Sequence, residues 1–268
     1  MSAEWAERLT PEPFRDFLPY TSLSALKVIH TRQVIEQAIL VVRHSASPAA
    51  RAREACLLAD SVAAAGLGVH VAGAPVGPLR VNQLTPQSRT AIGARVLRLY
   101  FHQLYGRATW FLDLRPRHFA WDDETQTLSF FPSNLWYQPD ADFRRRVQAL
   151  YTGFYLGDRA ALQAGFELYN WESRAEGGFW GRLESLLREH FGPGDSRQTR
   201  FHIAHFRATF DGIFQEAARS RAKLHPGLTF LGVGLVGLYQ TLESLQVPLD
   251  PRAAFETSAP LRTGPQTA

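Results

Sequence analysis

The chain has 268 residues, 45% hydrophobic and 20% charged, which is enough to bury a core in one large domain or two lobes. Its formal charge of +4 rests almost wholly on arginine, since Lys27 and Lys223 are the only lysines. That excess is scattered rather than clustered, so nucleic acid is not favoured as a partner. The single cysteine, Cys56, excludes an internal disulfide and a zinc site built on several cysteines.

In chain order, the opening "MSAEWAERLTPEPF" carries acids where a secretory leader would be basic, and the expectation is a cytoplasmic protein. In "TRQVIEQAILVVRHS", Val34, Ile35, Ala38, Ile39 and Val42 recur at helical spacing. "SPAARAREACLLADSVAAAG" predicts a second helix that starts at Ser47-Pro48, ends at Gly66 and turns Cys56 inward. "LGVHVAGAPVGPLRVNQL" alternates and is punctuated by Gly and Pro, which predicts short strands and a linker, the expected lobe boundary. "TPQSRTAIGARVLRLYFHQLYGR" predicts a long helix opening at Thr85-Pro86. It leads into "WFLDLRPRHFAWDDETQTLSFFPSNLW", read as a strand, a polar loop around Asp113 and a hairpin turning at Asp122, Asp123 and Glu124.

Beyond the hairpin, helices are expected in "DADFRRRVQALYTGFYLGD", where Asp140 and Asp142 suit a helix N-terminus, and in the segments that follow. The glycines of "LTFLGVGLVGLYQTL" suit a closely packed buried helix, a run too short for a bilayer. The tail "TSAPLRTGPQTA" is expected to be disordered. The fold class expected is α+β, mostly α, with a reduced N-terminal region over 1–80, a helical body over 81–256 and a tail over 257–268.

The order of a partly stranded front, long helix, loop, hairpin and helical body is that of a protein-kinase-like fold. More specifically, the chain resembles the UbiB (AarF) family of atypical kinase-like proteins. "FHQLYGRATWFLDLRPRHF" is similar to that family's helix and catalytic loop, with Asp113 at the catalytic Asp, Arg115 at a His position, Pro116 retained, and His118 where the metal-binding Asn stands. "LSFFPSNLW" resembles the run into D-F-G, which places Pro132, Ser133 and Asn134 on those three positions. "YTGFYLGDRAALQAGFELYN" and "LHPGLTFLGVGLVGLYQTLESLQVPLDPRAAFE" are similar to later family helices. At the front, "SALKVIH" implies Lys27 as the phosphate-pairing lysine and "AREACLLAD" implies Glu54 as its ion-pair partner. The family's K-x-G-Q motif is absent. The resemblance thus implies a nucleotide site drawing on Lys27, Glu54, His118 and Asn134 around Asp113, and a link to isoprenoid-lipid metabolism at a membrane.

The departures bear on chemistry. Kinases hold magnesium with oxygen from the D-F-G carboxylate and the catalytic-loop Asn. Pro132 supplies neither a carboxylate nor an N–H, and an imidazole suits softer metals. The expectation is therefore a pseudokinase: Asp113 as a vestige of the catalytic residue, no metal site, no cofactor, and a binding or regulatory role toward another protein, with peripheral membrane or lipid association as a further expectation. Two alternatives stand beside it. One is a divergent active UbiB-like ATPase or kinase that uses ATP and magnesium. The other is a basic helical protein associated with nucleic acid or membrane, for which Arg144 to Arg146 beside Trp136 and Tyr137 supply a candidate patch. His202 and His205, three apart, fit interhelical or surface histidines better than a metal pair.

Overall fold

The computed structural model describes residues 12–17, 28–29, 31–74, 77–169, 178–191 and 198–258. One helical turn, α1 (Glu12–Arg15), precedes α2 (Thr31–Ser45) and α3 (Pro48–Ala64). Ser47 opens α3 by accepting from the Ala50 amide at 3.2 Å, with proline in the first turn where a missing N–H costs nothing. The same device opens α4 (Pro86–Gly106), capped by Thr85 on the Ser88 amide at 3.1 Å. Past the hairpin come α5 (Ala141–Leu156), capped by Asp140, α6 (Arg159–Phe166), capped by Asp158, α7 (Gly178–Phe191), α8 (Ile203–Arg219), α9 (Leu228–Leu245) and α10 (Pro251–Ser258).

Strand is sparse. β1 (Val69–Val71) pairs in parallel with β4 (Thr127–Phe130), and β3 (Phe119–Asp122) completes the sheet antiparallel to β4, with Val69 opposite Leu128 and Phe119 opposite Phe130. A separate ribbon joins β2 (Trp110–Phe111) to β5 (Trp136–Tyr137). β2 precedes the Asp113 loop and β5 follows the Pro-Ser-Asn turn, so this ribbon ties both ends of the loop and hairpin together, and the Leu112 amide donates to the Leu135 carbonyl at 2.9 Å. The molecule is α+β and mostly helical. β1, on the N-terminal side of residue 80, extends the sheet of the hairpin beyond it.

The core is aromatic and aliphatic, with α9 through its centre. Contrary to the expectation of a run too short for a bilayer, α9 at 18 residues is long and apolar enough to cross one, yet 72% of it is buried within the protein. Its sequence shows why it packs so closely: a methyl group on Gly237 would lie 2.9 Å from the Leu114 amide nitrogen, so only glycine lets the helix meet the Asp113 loop backbone. α10 closes the far side, Phe255 meeting Phe101 of α4 edge-on at 5.4 Å.

Several sequence expectations shift here. Cys56 is exposed, because α3 buries Glu54, Leu58 and Val62, a four-residue spacing that leaves Cys56 on the other side. Ile35 and Ile39, both 46% exposed, lie off the face of α2 that buries Val41. Among the described residues between 67 and 84, the predicted short strands come down to β1, followed by a 3-10 turn at Val81–Gln83. Thr257 and Ser258, assigned to the tail, belong to α10, where the Thr257 hydroxyl donates to the Ala253 carbonyl at 2.6 Å; 259–268 lie outside the described residues.

A paired substitution tests the seat of α9. Gly237→Ala should lower stability by about 1–3 kcal/mol through overpacking against backbone. Gly232→Ala, which meets nothing within 4 Å, should instead gain about 0.5–1 kcal/mol of helix propensity. Urea unfolding midpoints at unchanged slope read both signs.

Candidate functional site

The loop from Leu112 to His118 is built from below. The Gln103 side chain accepts from the Phe111 amide at 2.7 Å and fixes the loop's start. Thr241 of α9 donates its hydroxyl proton to the Leu114 carbonyl at 2.5 Å, and a 3-10 turn over Pro116–His118 closes it, the His118 amide donating to Arg115 at 2.9 Å. These backbone bonds fix the path of the loop, which leaves the side chains to define the site.

Asp113, 3% exposed, sits at its centre. Arg115 grips both carboxylate oxygens, Nε to Oδ1 at 2.7 Å and Nη2 to Oδ2 at 2.6 Å, the bidentate geometry in which guanidinium and carboxylate match. Arg117 Nη2 adds a bond to Oδ2 at 3.1 Å, and His118 Nε2 lies 3.0 Å from the same oxygen. His118 Nδ1 faces the Phe131 carbonyl at 3.1 Å, and the two rings stack. On the outer side, Arg115 Nη1 donates to Asp16 at 2.7 Å, Arg117 Nη1 lies 3.5 Å from the same Asp16 oxygen, and Arg115 lies over the Phe17 ring at 4.6 Å.

Burial by itself pushes the Asp113 carboxyl up, but the hydrogen bonds and charges of Arg115 and His118 outweigh it and hold the group well below the usual carboxylate range. Asp16 is lowered too, chiefly by its hydrogen bond to Arg115. A carboxylate whose oxygens are filled by cationic donors has no lone pair directed at a substrate and little affinity for a proton. Its chemistry is that of a structural anion.

The other sequence-derived candidates are placed differently. Glu54 is buried in α3, with Arg107 at the end of α4 and Arg53 each 3.6 Å from its carboxylate. Lys27 lies outside the described residues. Asn134 is exposed at the turn where Pro132 is buried and Ser133 Oγ accepts from the Leu135 amide. Thus Asp113 and His118 are brought together, while Glu54 is engaged with arginines of its own and Asn134 faces outward. Among the described residues no three of His, Cys, Asp and Glu converge on a metal-sized position.

The remaining motifs resolve into local structure. Asp122 accepts from the Glu124 amide within the hairpin turn, whereas Asp123 accepts from the Trp121 indole and from Ser88, tying the turn to α4. Arg145 and Arg146 both pair with Asp142, and Arg146 also with Glu167, while Trp136 and Tyr137 are buried, so the suggested basic-aromatic patch does not form. His202 precedes α8 and lies 3.6 Å from Glu243. Two clefts flank the strap at 77–84, one of about 450 Å³ between Arg80, Gln83, Pro116 and Ser244, the other of about 350 Å³ against Trp121 and Asp123.

Asp16 and Arg117 join the site beyond the residues that the sequence pattern singles out. The alternation of charge in Asp113-Leu-Arg-Pro-Arg-His was a signal for Arg117, but none in the sequence links Asp16 to a loop 99 positions away. No protein-family model matches the chain, and no curated protein matches it.

Removing the charge of Asp113 leaves a buried guanidinium short of its partner, so Asp113→Asn should cost about 3 kcal/mol at neutral pH. The pH dependence has a definite sign. A carboxyl depressed in the folded state contributes stability above its unfolded value near 4, and that contribution is lost as pH falls below it. Urea unfolding from pH 7 to pH 3 should show the gap between wild type and Asp113→Asn narrowing below about pH 4.

Proposed function

We propose that this chain is a catalytically degenerate kinase-like protein of the UbiB (AarF) type, a pseudokinase that works by binding another protein in the cytoplasm. Support comes from the order of elements: a long helix, a short strand, an Asp-centred loop, a hairpin, a Pro-Ser-Asn turn, a strand paired with the first, and a helical body. That pairing sets the loop beside the turn, where the Phe131 amide donates to the His118 carbonyl at 2.9 Å. In a working kinase these two segments carry the proton acceptor and the metal ligands.

The observation that carries the reading is the engagement of Asp113. Its carboxylate is bound by Arg115, Arg117 and His118, so the residue at the proton-acceptor position is spent on fixing the loop. His118, at the position of a metal ligand, is turned between Asp113 and a backbone carbonyl. Pro132, at the position of the other ligand, has no oxygen side chain to offer. Phosphoryl transfer depends on metal ions that neutralise charge at the phosphates, and His118 and Pro132 put no carboxylate or amide oxygen at the two ligand positions. The pairing of Arg145 and Arg146 with Asp142 argues in the same way against a nucleic-acid surface.

Thermal unfolding of the full chain with ATP, in magnesium and in EDTA, tests this. The expected outcome is no magnesium-dependent gain in midpoint and no phosphate release, since a ligand that binds only the folded state must raise the midpoint by mass action. A magnesium-dependent gain abolished by Lys27→Ala would establish the divergent active enzyme instead.

A further inference from the structure

We infer that Arg115 and Arg117 together form an oxyanion site, occupied by the chain's own Asp16, whose exogenous ligand is a phosphate group, free or as a monoester. The geometry is specific. A single position, that of Asp16 Oδ2, lies 2.7 Å from Arg115 Nη1 and 3.5 Å from Arg117 Nη1. Both guanidinium groups are held there by something other than Asp16. Arg115, only 11% exposed, is fixed through its other edge by the two bonds to Asp113 and lies over Phe17. Arg117 is anchored to Asp113 through Nη2. Two cationic donors aimed at one point, and pre-organised by a buried carboxylate behind them, are what anion recognition requires.

Charge points the same way. Two guanidinium groups face one buried carboxylate, so one positive charge would be left over without Asp16. Asp16 neutralises it with a single negative charge from a position 56% exposed. Exposed ion pairs of this kind contribute only about 0–1 kcal/mol. A phosphate monoester brings about 1.5 to 2 negative charges and three acceptor oxygens, more than a carboxylate presents to two guanidinium groups. Phe14 and Phe17 on either side of Asp16 are themselves buried, Phe14 meeting Phe230 at 5.9 Å, so rotating the Asp16 side chain away leaves the turn seated. None of this requires a nucleotide or a metal, so the site stands or falls separately from the kinase-like reading.

The test is titration of the full chain with inorganic phosphate, and in a second arm with glycerol 3-phosphate, at constant ionic strength with chloride as control. Asp16→Asn should bind phosphate about tenfold more tightly than wild type, and adding Arg117→Gln should remove that gain. Tighter binding of the ester than of the free ion would identify an organic monoester as the source of the phosphate group; equal or weaker ester binding would identify inorganic phosphate. Wild-type protein supplies a check independent of any variant: saturating phosphate should shift the Asp16 carboxyl carbon resonance as the side chain leaves the arginines. An unmoved resonance, an Asp16→Asn affinity no greater than wild type, or an equal response to chloride would overturn the proposal.

Discussion

The bidentate pair between Asp113 and Arg115 sets the conformation of everything around it. Both partners are largely removed from water, and taking each ion out of solvent costs several kcal/mol. Two short charge-assisted hydrogen bonds offset that cost only when the loop places the groups face to face. The pair is therefore a constraint on shape more than a source of net stability. With it formed, Arg117 and His118 have one carboxylate oxygen to converge on, and the loop has one arrangement that satisfies all four side chains.

That constraint is useful only because the platform beneath is rigid. α9 supplies it, with Gly237 admitting the loop backbone and Thr241 holding the Leu114 carbonyl. The β2–β5 ribbon then clamps the loop's entry to the exit of the hairpin, and His118 stitches the loop to Phe131. Sequence, packing and charge thus meet in one place. A small residue in a buried helix decides whether a strand of backbone fits, and the backbone decides whether a buried carboxylate finds its cations.

Much of this architecture was legible from residue types. Ser47-Pro48 and Thr85-Pro86 announced helix starts because a hydroxyl cap and a proline in the first turn each answer a local backbone requirement. The hairpin turn at Asp122, Asp123 and Glu124 and the Asp140 cap on α5 were equally local. What escaped was set at a distance. Ile35 and Ile39 have the periodicity of a buried face, yet which face of α2 is covered depends on neighbours the helix does not encode. Asp113 and His118 were read as candidates, but their mutual pairing and the clamp by Arg115 follow from a loop geometry fixed by α9, more than a hundred positions later in the chain. Asp16 belongs to the same class: an acid just past a single helical turn gives no hint of the arginines it meets.

The central claim is that Asp113 and Arg115 act as one unit that fixes the loop. A double-mutant cycle over Asp113→Asn and Arg115→Gln, read by urea unfolding at neutral pH, tests it most directly. Mutual dependence predicts a coupling energy of about 2–3 kcal/mol, the double variant being far less destabilised than the sum of the singles. Additivity to within about 0.5 kcal/mol would show that the two side chains act independently, and would contradict it.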